Sequence, residues 1–176
     1  MKTKLFLRAI TLFFLVPFVS FSQTWVQQTS GITENLLAVQ FLDANNGYSC
    51  GDAGKVVKTT NGGSTWTQVN ISTTLSVNDI SFTSANEGWA AIGDPNNASS
   101  TGQIWHTTNG GTTWIQQTPS TTEGRFGIGF APGSSTNGWV VGSRNGPINV
   151  DATTNGGSTW TQQSNTNIFG WLYKIK

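Results

Sequence analysis

Cysteine and histidine are almost absent from this chain, with one of each in 176 residues. A lone thiol excludes an internal disulfide framework, and one thiol with one imidazole cannot make the ligand set of a structural zinc site. Charge is scarce as well: Asp, Glu, Lys and Arg are 10% of the sequence, against roughly 25% in an average soluble domain. No Lys/Arg-rich stretch follows the first few residues, so the basic footprint of a nucleic-acid-binding protein is missing. What the chain does have is Gly, at 21, and Trp, at 8. The polar surface must then be built from Thr, Ser, Asn and Gln, which suits turn-rich β structure, and the length allows one domain at most.

The amino terminus reads as an address. Lys2, Lys4 and Arg8 precede an apolar run from Ala9 to Val19, and Ser20 and Ser22 occupy the small-residue places of a cut before Gln23. This is the pattern of a secretory signal peptide over residues 1–22. The run falls short of the roughly 20 apolar residues of a spanning helix, so no stable membrane anchor is expected after cleavage, an uncleaved anchor being the alternative. Cleavage removes Lys2, Lys4 and Arg8 from the 9 basic side chains and leaves 6 against 8 acidic ones. The exported chain, at net −2, has no attraction to DNA or to an anionic membrane surface. Its expected location is secreted, periplasmic or on the cell surface.

The body of the chain, residues 23–176, repeats. Thr59-Thr-Asn-Gly-Gly-Ser-Thr-Trp66, Thr107-Thr-Asn-Gly-Gly-Thr-Thr-Trp114 and Thr153-Thr-Asn-Gly-Gly-Ser-Thr-Trp160 are near-identical octapeptides, and Thr24-Trp25-Val-Gln-Gln matches what surrounds their Trp. Trp25, Trp66, Trp114 and Trp160 stand 41, 48 and 46 residues apart, close to the period of a four-stranded propeller blade, about 40 to 50 residues. Each period opens on alternating apolar residues, as in Leu37-Ala-Val39-Gln-Phe41, Val77-Asn-Asp-Ile80-Ser-Phe82 and Phe126-Gly-Ile128-Gly-Phe130, the signature of a strand. A Gly-aromatic strand follows at Asn46–Gly51, Glu87–Gly93 and Asn137–Gly142, then a third strand near Lys55–Lys58, Gln103–His106 or Ile148–Ala152. The octapeptide makes a hairpin into the Trp strand.

That hairpin has a physical reading. Asn61, Asn109 and Asn155 can bond backbone groups two residues on. The pairs Gly62-Gly63, Gly110-Gly111 and Gly156-Gly157 supply the positive φ of a tight turn. Thr59, Thr107 and Thr153 can satisfy the remaining polar groups of the loop, and Trp66, Trp114 and Trp160 bury apolar surface between neighbouring sheets. A metal role for the boxes is disfavoured because their Asn side chains are neutral and a hard cation wants charged oxygens. No metal or cofactor is expected.

The pattern Thr-x-Asn-Gly-Gly-x-Thr-Trp resembles the Asp-box, or BNR, repeat of sialidases and related β-propellers. Together with Gly-Trp-x-x-Gly, it is most similar to the photosystem II stability and assembly factor type of propeller, which also occurs among secreted bacterial proteins. The resemblance runs from Thr24 onward, with Asn in place of Asp in all three boxes. It implies an all-β fold of four-stranded antiparallel blades. Three full blades are countable, at about 36–69, 77–117 and 126–163, flanked by stray strands at 24–28 and 168–175. A ring needs at least about four blades, so an open propeller is expected, whose edges invite self-association.

Chemistry has little to start from. The arginine triad of a sialidase cannot be assembled from Arg125 and Arg144, and the carboxyl pair of a xyloglucan hydrolase has as candidates Glu34, Asp52, Asp79, Glu87, Asp94 and Glu123, all of which read as solvated loop acids. His106 reads as a half-buried strand residue and Cys50 as a small buried hydrophobe. No phosphate-binding Gly loop is present. In a blade, the second-to-third connections and the links to the next blade emerge on one face, opposite the boxes. Glu34, Asp52, Asp94, Glu123, Arg125 and Arg144 fall there as a polar rim for a protein or glycan partner. The chain is thus expected to be a non-catalytic exported scaffold for interaction or assembly, its three-blade count reading first as truncation of a longer propeller and second as assembly of copies into a ring. The alternative is a fragment of a secreted glycoside hydrolase, sialidase-like or xyloglucanase-like.

Overall fold

The computed structural model describes residues 26–69, 71–94, 102–117, 124–142 and 149–163. The leader, the beginning of the 24–28 strand and the 168–175 strand lie outside these residues. Within them, strands of two to six residues build three four-stranded antiparallel sheets and no helix. The first sheet runs β1 (Leu36–Phe41), β2 (Gly47–Gly51), β3 (Val56–Thr59) and β4 (Thr67–Gln68). The second runs β5 (Val77–Phe82), β6 (Gly88–Ile92), β7 (Gln103–Thr107) and β8 (Ile115–Gln117). The third runs β9 (Arg125–Phe130), β10 (Gly138–Gly142), β11 (Asn149–Thr153) and β12 (Thr161–Gln162). Strand order equals chain order in each, the meander of a propeller blade. No helix of the described residues is long and apolar enough to cross a membrane.

The three sheets superpose in register. Phe41 pairs with Gly47, Phe82 with Gly88 and Phe130 with Gly138. A Cβ on those glycines would stand 2.8, 2.4 and 2.7 Å from the paired phenylalanine ring, which is why Gly precedes the aromatic in each second strand. The ring lies across the glycine and leaves the neighbouring position, Tyr48, Trp89 or Trp139, free to meet the next sheet.

Apolar side chains of adjacent sheets form the core. Tyr48, Cys50 and Val56 of the first sheet pack with Ile80, Phe82 and Trp114 of the second. Trp89, Ala91 and Ile104 of the second pack with Ile128, Val140 and Trp160 of the third. The same aromatic stack recurs: Tyr48 on Phe82 at 3.6 Å and 6°, Trp89 on Phe130 at 3.7 Å and 22°. Trp114 and Trp160 meet these phenylalanines edge-on at 5.9 and 6.4 Å. Trp66 meets Phe41 likewise, at 6.1 Å. The expectation that each Trp lies between sheets therefore holds for Trp114 and Trp160, whereas Trp66 is half-buried on the outer side of the first sheet.

Polar side chains reinforce the stacking at the innermost strands. β5 and β9 are edges of their sheets, and an edge leaves backbone groups unpaired. The Gln40 amide serves both groups of Phe82, accepting from its N–H at 2.7 Å and donating to its carbonyl at 3.0 Å. Asn78 donates to the Arg125 carbonyl at 2.7 Å, and Asp79 accepts from the Ile128 N–H at 3.2 Å.

Candidate functional site

The boxes occupy one end of the sheets. In each, the hydroxyl of Thr59, Thr107 or Thr153 donates to the Asn side-chain oxygen two residues on, at 2.9–3.0 Å. It also accepts from the N–H of Gly63, Gly111 or Gly157 at 2.8–2.9 Å. The Asn oxygen of Asn61, Asn109 and Asn155 then accepts from the backbone N–H of Thr65, Thr113 and Thr159 at 2.9–3.0 Å. The Asn thus reaches four residues along the chain, not the two expected, because the paired left-handed glycines, φ 66–87°, curl the loop back over it. The Asn amide donates to the same Thr hydroxyl at 2.8–2.9 Å. These bonds close each turn on itself in the same way in all three sheets.

At the opposite end stand Glu34, Asp52 and Asp94, three of the six residues expected to form a rim. Asp52 accepts from Asn35 Nδ2 and from the Ser76 hydroxyl, both at 2.9 Å, tying the entrance of β1 to the entrance of β5. Beside it Glu34 lies 3.4 Å from Lys55 Nζ. Its own backbone N–H holds the Glu34 carboxyl below the ordinary value, with Lys55 adding to the effect against the opposing cost of desolvation. Asp94 is half-buried just beyond the end of β6, while Glu123 and Arg144 lie outside the described residues. Arg125 is a correction: it is fully buried, its Nη2 2.6 Å from Asp151 Oδ2, itself fully buried. It lies inside because its position in β9 corresponds to Val77, fully buried in the second sheet, whereas the other counterpart, Leu36 of the first sheet, is 40% exposed.

The remaining acids and the lone imidazole also have structural places. Asp79 was expected in a solvated loop; it is buried in β5, accepting from the N–H groups of Ile80 at 3.1 Å and Ile128 at 3.2 Å. Glu87 stands 3.4 Å from His106 Nε2. His106 is half-buried in β7, stacked on Trp89 at 4.5 Å. Burial pushes its pKa below the ordinary value, and Glu87 opposes the shift. Cys50 is fully buried in the core between the first two sheets. Among the described residues no group of His, Cys, Asp and Glu gathers to hold a metal ion.

Sequence reasoning missed Asp151. Its signal was present in the repeats: it replaces Val57 and Trp105 of the sister sheets where Arg125 replaces Leu36 and Val77. Two apolar positions change to opposite charges together.

Besides a concave surface of about 500 Å³ against Trp139, Ala152 and Thr161 of the third sheet, the described residues form two more. One, of about 630 Å³, follows the inner strands past Gln40, Ser81, Ile128 and Trp139. The other, of about 490 Å³, lies on the outer face of the first sheet between Gln28, Leu37, Val39 and Trp66.

Comparison with known proteins places this geometry. YCF48 bound to D1 peptide aligns with a TM-score of 0.60 at 22% identity, covering 78% of this chain and 41% of that one. YCF48 from Cyanidioschyzon merolae aligns at 0.56 and 22%, covering 73% and 39%. The GH74 enzyme of Niastella koreensis aligns at 0.65 and 20%, covering 79% and 24%. The chain therefore spans less than half the length of these propeller structures. No curated protein sequence matches it. The family described as photosynthesis system II assembly factor YCF48 matches residues 18–122. That is more than half of the chain, and with three blades of BNR type in register the chain belongs to this family.

Proposed function

We propose that this chain is a non-catalytic β-propeller module, exported behind residues 1–22, that holds a protein partner for interaction or assembly. One observation carries the reading. Glu34, Asp52, Asp79, Glu87 and Asp151 are each engaged by a neighbour within the fold. A hydrolase needs an acid and a base free to face a substrate. Membership of an assembly-factor family, and the peptide held by one similar propeller, support a protein as the partner. The contact surface is the rim end, where Glu34, Asp52 and Asp94 lie, with Glu123 and Arg144 read into it from the sequence alone. Arg125 has no part in it.

A photo-crosslinking residue at Glu34 tests the surface against the same residue at Ser64, on the box end. Adduct formation with one protein partner from Glu34 alone supports the rim, and equal adducts from both positions reject it. The mass of the exported product tests the leader, with Gln23 as the expected first residue. The likeness to the GH74 enzyme favours a second reading, a fragment of a glycoside hydrolase acting on a glycan. Release of reducing ends from xyloglucan by the purified chain would select that reading.

A further inference from the structure

The two outer faces of the three-sheet stack are the separated halves of an interface that the molecule itself makes twice. Inside, an aromatic of the second strand stacks on the phenylalanine of the next sheet: Tyr48 on Phe82, Trp89 on Phe130. At one open end stands the next such aromatic, Trp139, 38% exposed. At the other stands the corresponding phenylalanine, Phe41, 45% exposed, with Val39 at 60% and Leu37 at 48% beside it. Their counterparts Ile80 and Ile128 are 5% and 2% exposed.

A second feature marks the first sheet as a receiving site. Gln117, at the end of β8, donates to the Gly156 carbonyl of the next sheet at 3.3 Å. Gln28 donates to the Gly62 carbonyl at 3.2 Å. A Cβ on Gly63 would stand 2.0 Å from Gln28 Oε1, as one on Gly157 would stand 2.1 Å from Gln117 Oε1. Residues 26–28 thus hold the place of an outer fourth strand for a sheet packed before β1, and the 490 Å³ groove lies where its inner strands belong.

We propose that the occupant is a second copy of this chain, whose third sheet docks through Trp139 onto Phe41, Val39 and Leu37. The arriving sheet brings β9, β10 and β11. Its β12, paired at Asp151–Gln162 and Ala152–Thr161 and through the Gln163 N–H to the Val150 carbonyl at 2.7 Å, gives way to residues 26–28 of the receiving copy. The contact is head-to-tail, so two different surfaces meet, and it closes a ring if the rotation per copy allows. Two copies bring together six sheets, inside the range of about four to eight blades that propellers use.

The test uses the mature full chain and two surface variants, Val39→Asp and Trp139→Asp, with mass in solution read by sedimentation and folding read by circular dichroism. The parent is expected to self-associate, and each folded variant to do so at least about tenfold more weakly. An equimolar mixture of the variants restores a one-to-one pair, because each then offers the face that the other has lost. A monomeric parent, variants that associate like the parent, or folded variants that fail to pair when mixed would each overturn the proposal. Partner crosslinking from Glu34 reads the rim separately, so failure of either reading leaves the other distinguishable.

Discussion

Phe41, Phe82 and Phe130 occupy one position of one repeat, pair with the same glycine and meet the same edge-on tryptophan, yet Phe82 is 3% exposed and Phe41 is 45% exposed. The difference is the sheet in front of them. Phe82 has Tyr48 stacked on it and Gln40 bonding both its backbone groups; Phe41 has no described sheet on that side. In a repeat protein a local sequence therefore fixes a blade, while the neighbour fixes how much each residue of that blade contributes to stability.

Truncation should read this difference directly. Phe82→Ala is expected to cost about 3–5 kcal/mol, through lost burial and the cavity left under Tyr48 and Trp114. Phe41→Ala should cost no more than about 1 kcal/mol, the range of surface changes, when measured at a concentration low enough to keep the chain monomeric. Urea denaturation of the two variants measures both, and equal midpoint shifts would show that the faces do not differ in the way described.

The buried pair of the third sheet offers a comparable contrast. Arg125→Leu alone is expected to cost about 3–5 kcal/mol, because it leaves Asp151 buried beside an apolar side chain. Adding Asp151→Val restores the combination that the first sheet carries as Leu36 and Val57, and should recover most of the loss, since apolar pairs often replace buried ion pairs without penalty. The thermal midpoints of the single and double variants check this. A double variant no better than the single would mean that the pair sets the third sheet's conformation as well as filling it.

The boxes should not follow the contrast at all. Thr59→Val and Thr107→Val each remove a buried hydroxyl that accepts from a glycine N–H, at an expected cost of about 1–3 kcal/mol. The turn is local, so the two costs should agree by urea denaturation although one box belongs to the terminal sheet and the other to the covered one. Disagreement would mean that the box draws stability from its neighbour.

The same split explains what was legible in the sequence. Strands, hairpins and blade limits depend on contacts within one repeat, and the alternation at Leu37–Phe41 and the Asn-Gly-Gly turns report those contacts. The rim depended on where a strand begins. The alternation that opens at Phe126 leaves Arg125 before the strand and on the rim, but the bulged register of β9 with β10 puts it in the strand and inside. Asp79 was misread for a related reason: its partner, the Ile128 N–H, belongs to the next repeat, and periodicity within one repeat carries no sign of it. Aligning repeats against one another, as Arg125 and Asp151 show against Leu36 and Val57, recovers part of what alternation alone leaves hidden.

The smallest expected effect separates the two closed interfaces from each other. At the same repeat position the first sheet has Lys58, its Nζ 5.3 Å from the Tyr48 ring centroid, and the second has His106, stacked on Trp89. Burial lowers the His106 pKa from its ordinary 6.5, against the pull of Glu87. The unfolded chain therefore binds this proton more readily than the folded one, and stability present above pH 6.5 is lost as pH falls toward the folded pKa. The first interface carries no imidazole at this place, so it should be indifferent. Hydrogen exchange, corrected for intrinsic rates, should show the Ile128 N–H losing protection between pH 7 and about pH 5.5 while the Phe82 N–H keeps its own. His106→Gln should flatten the change and Glu87→Gln should deepen it, because the carboxylate is what favours the protonated ring within the fold. If both N–H groups lose protection together, His106 acts on the whole stack and not on the interface it lines.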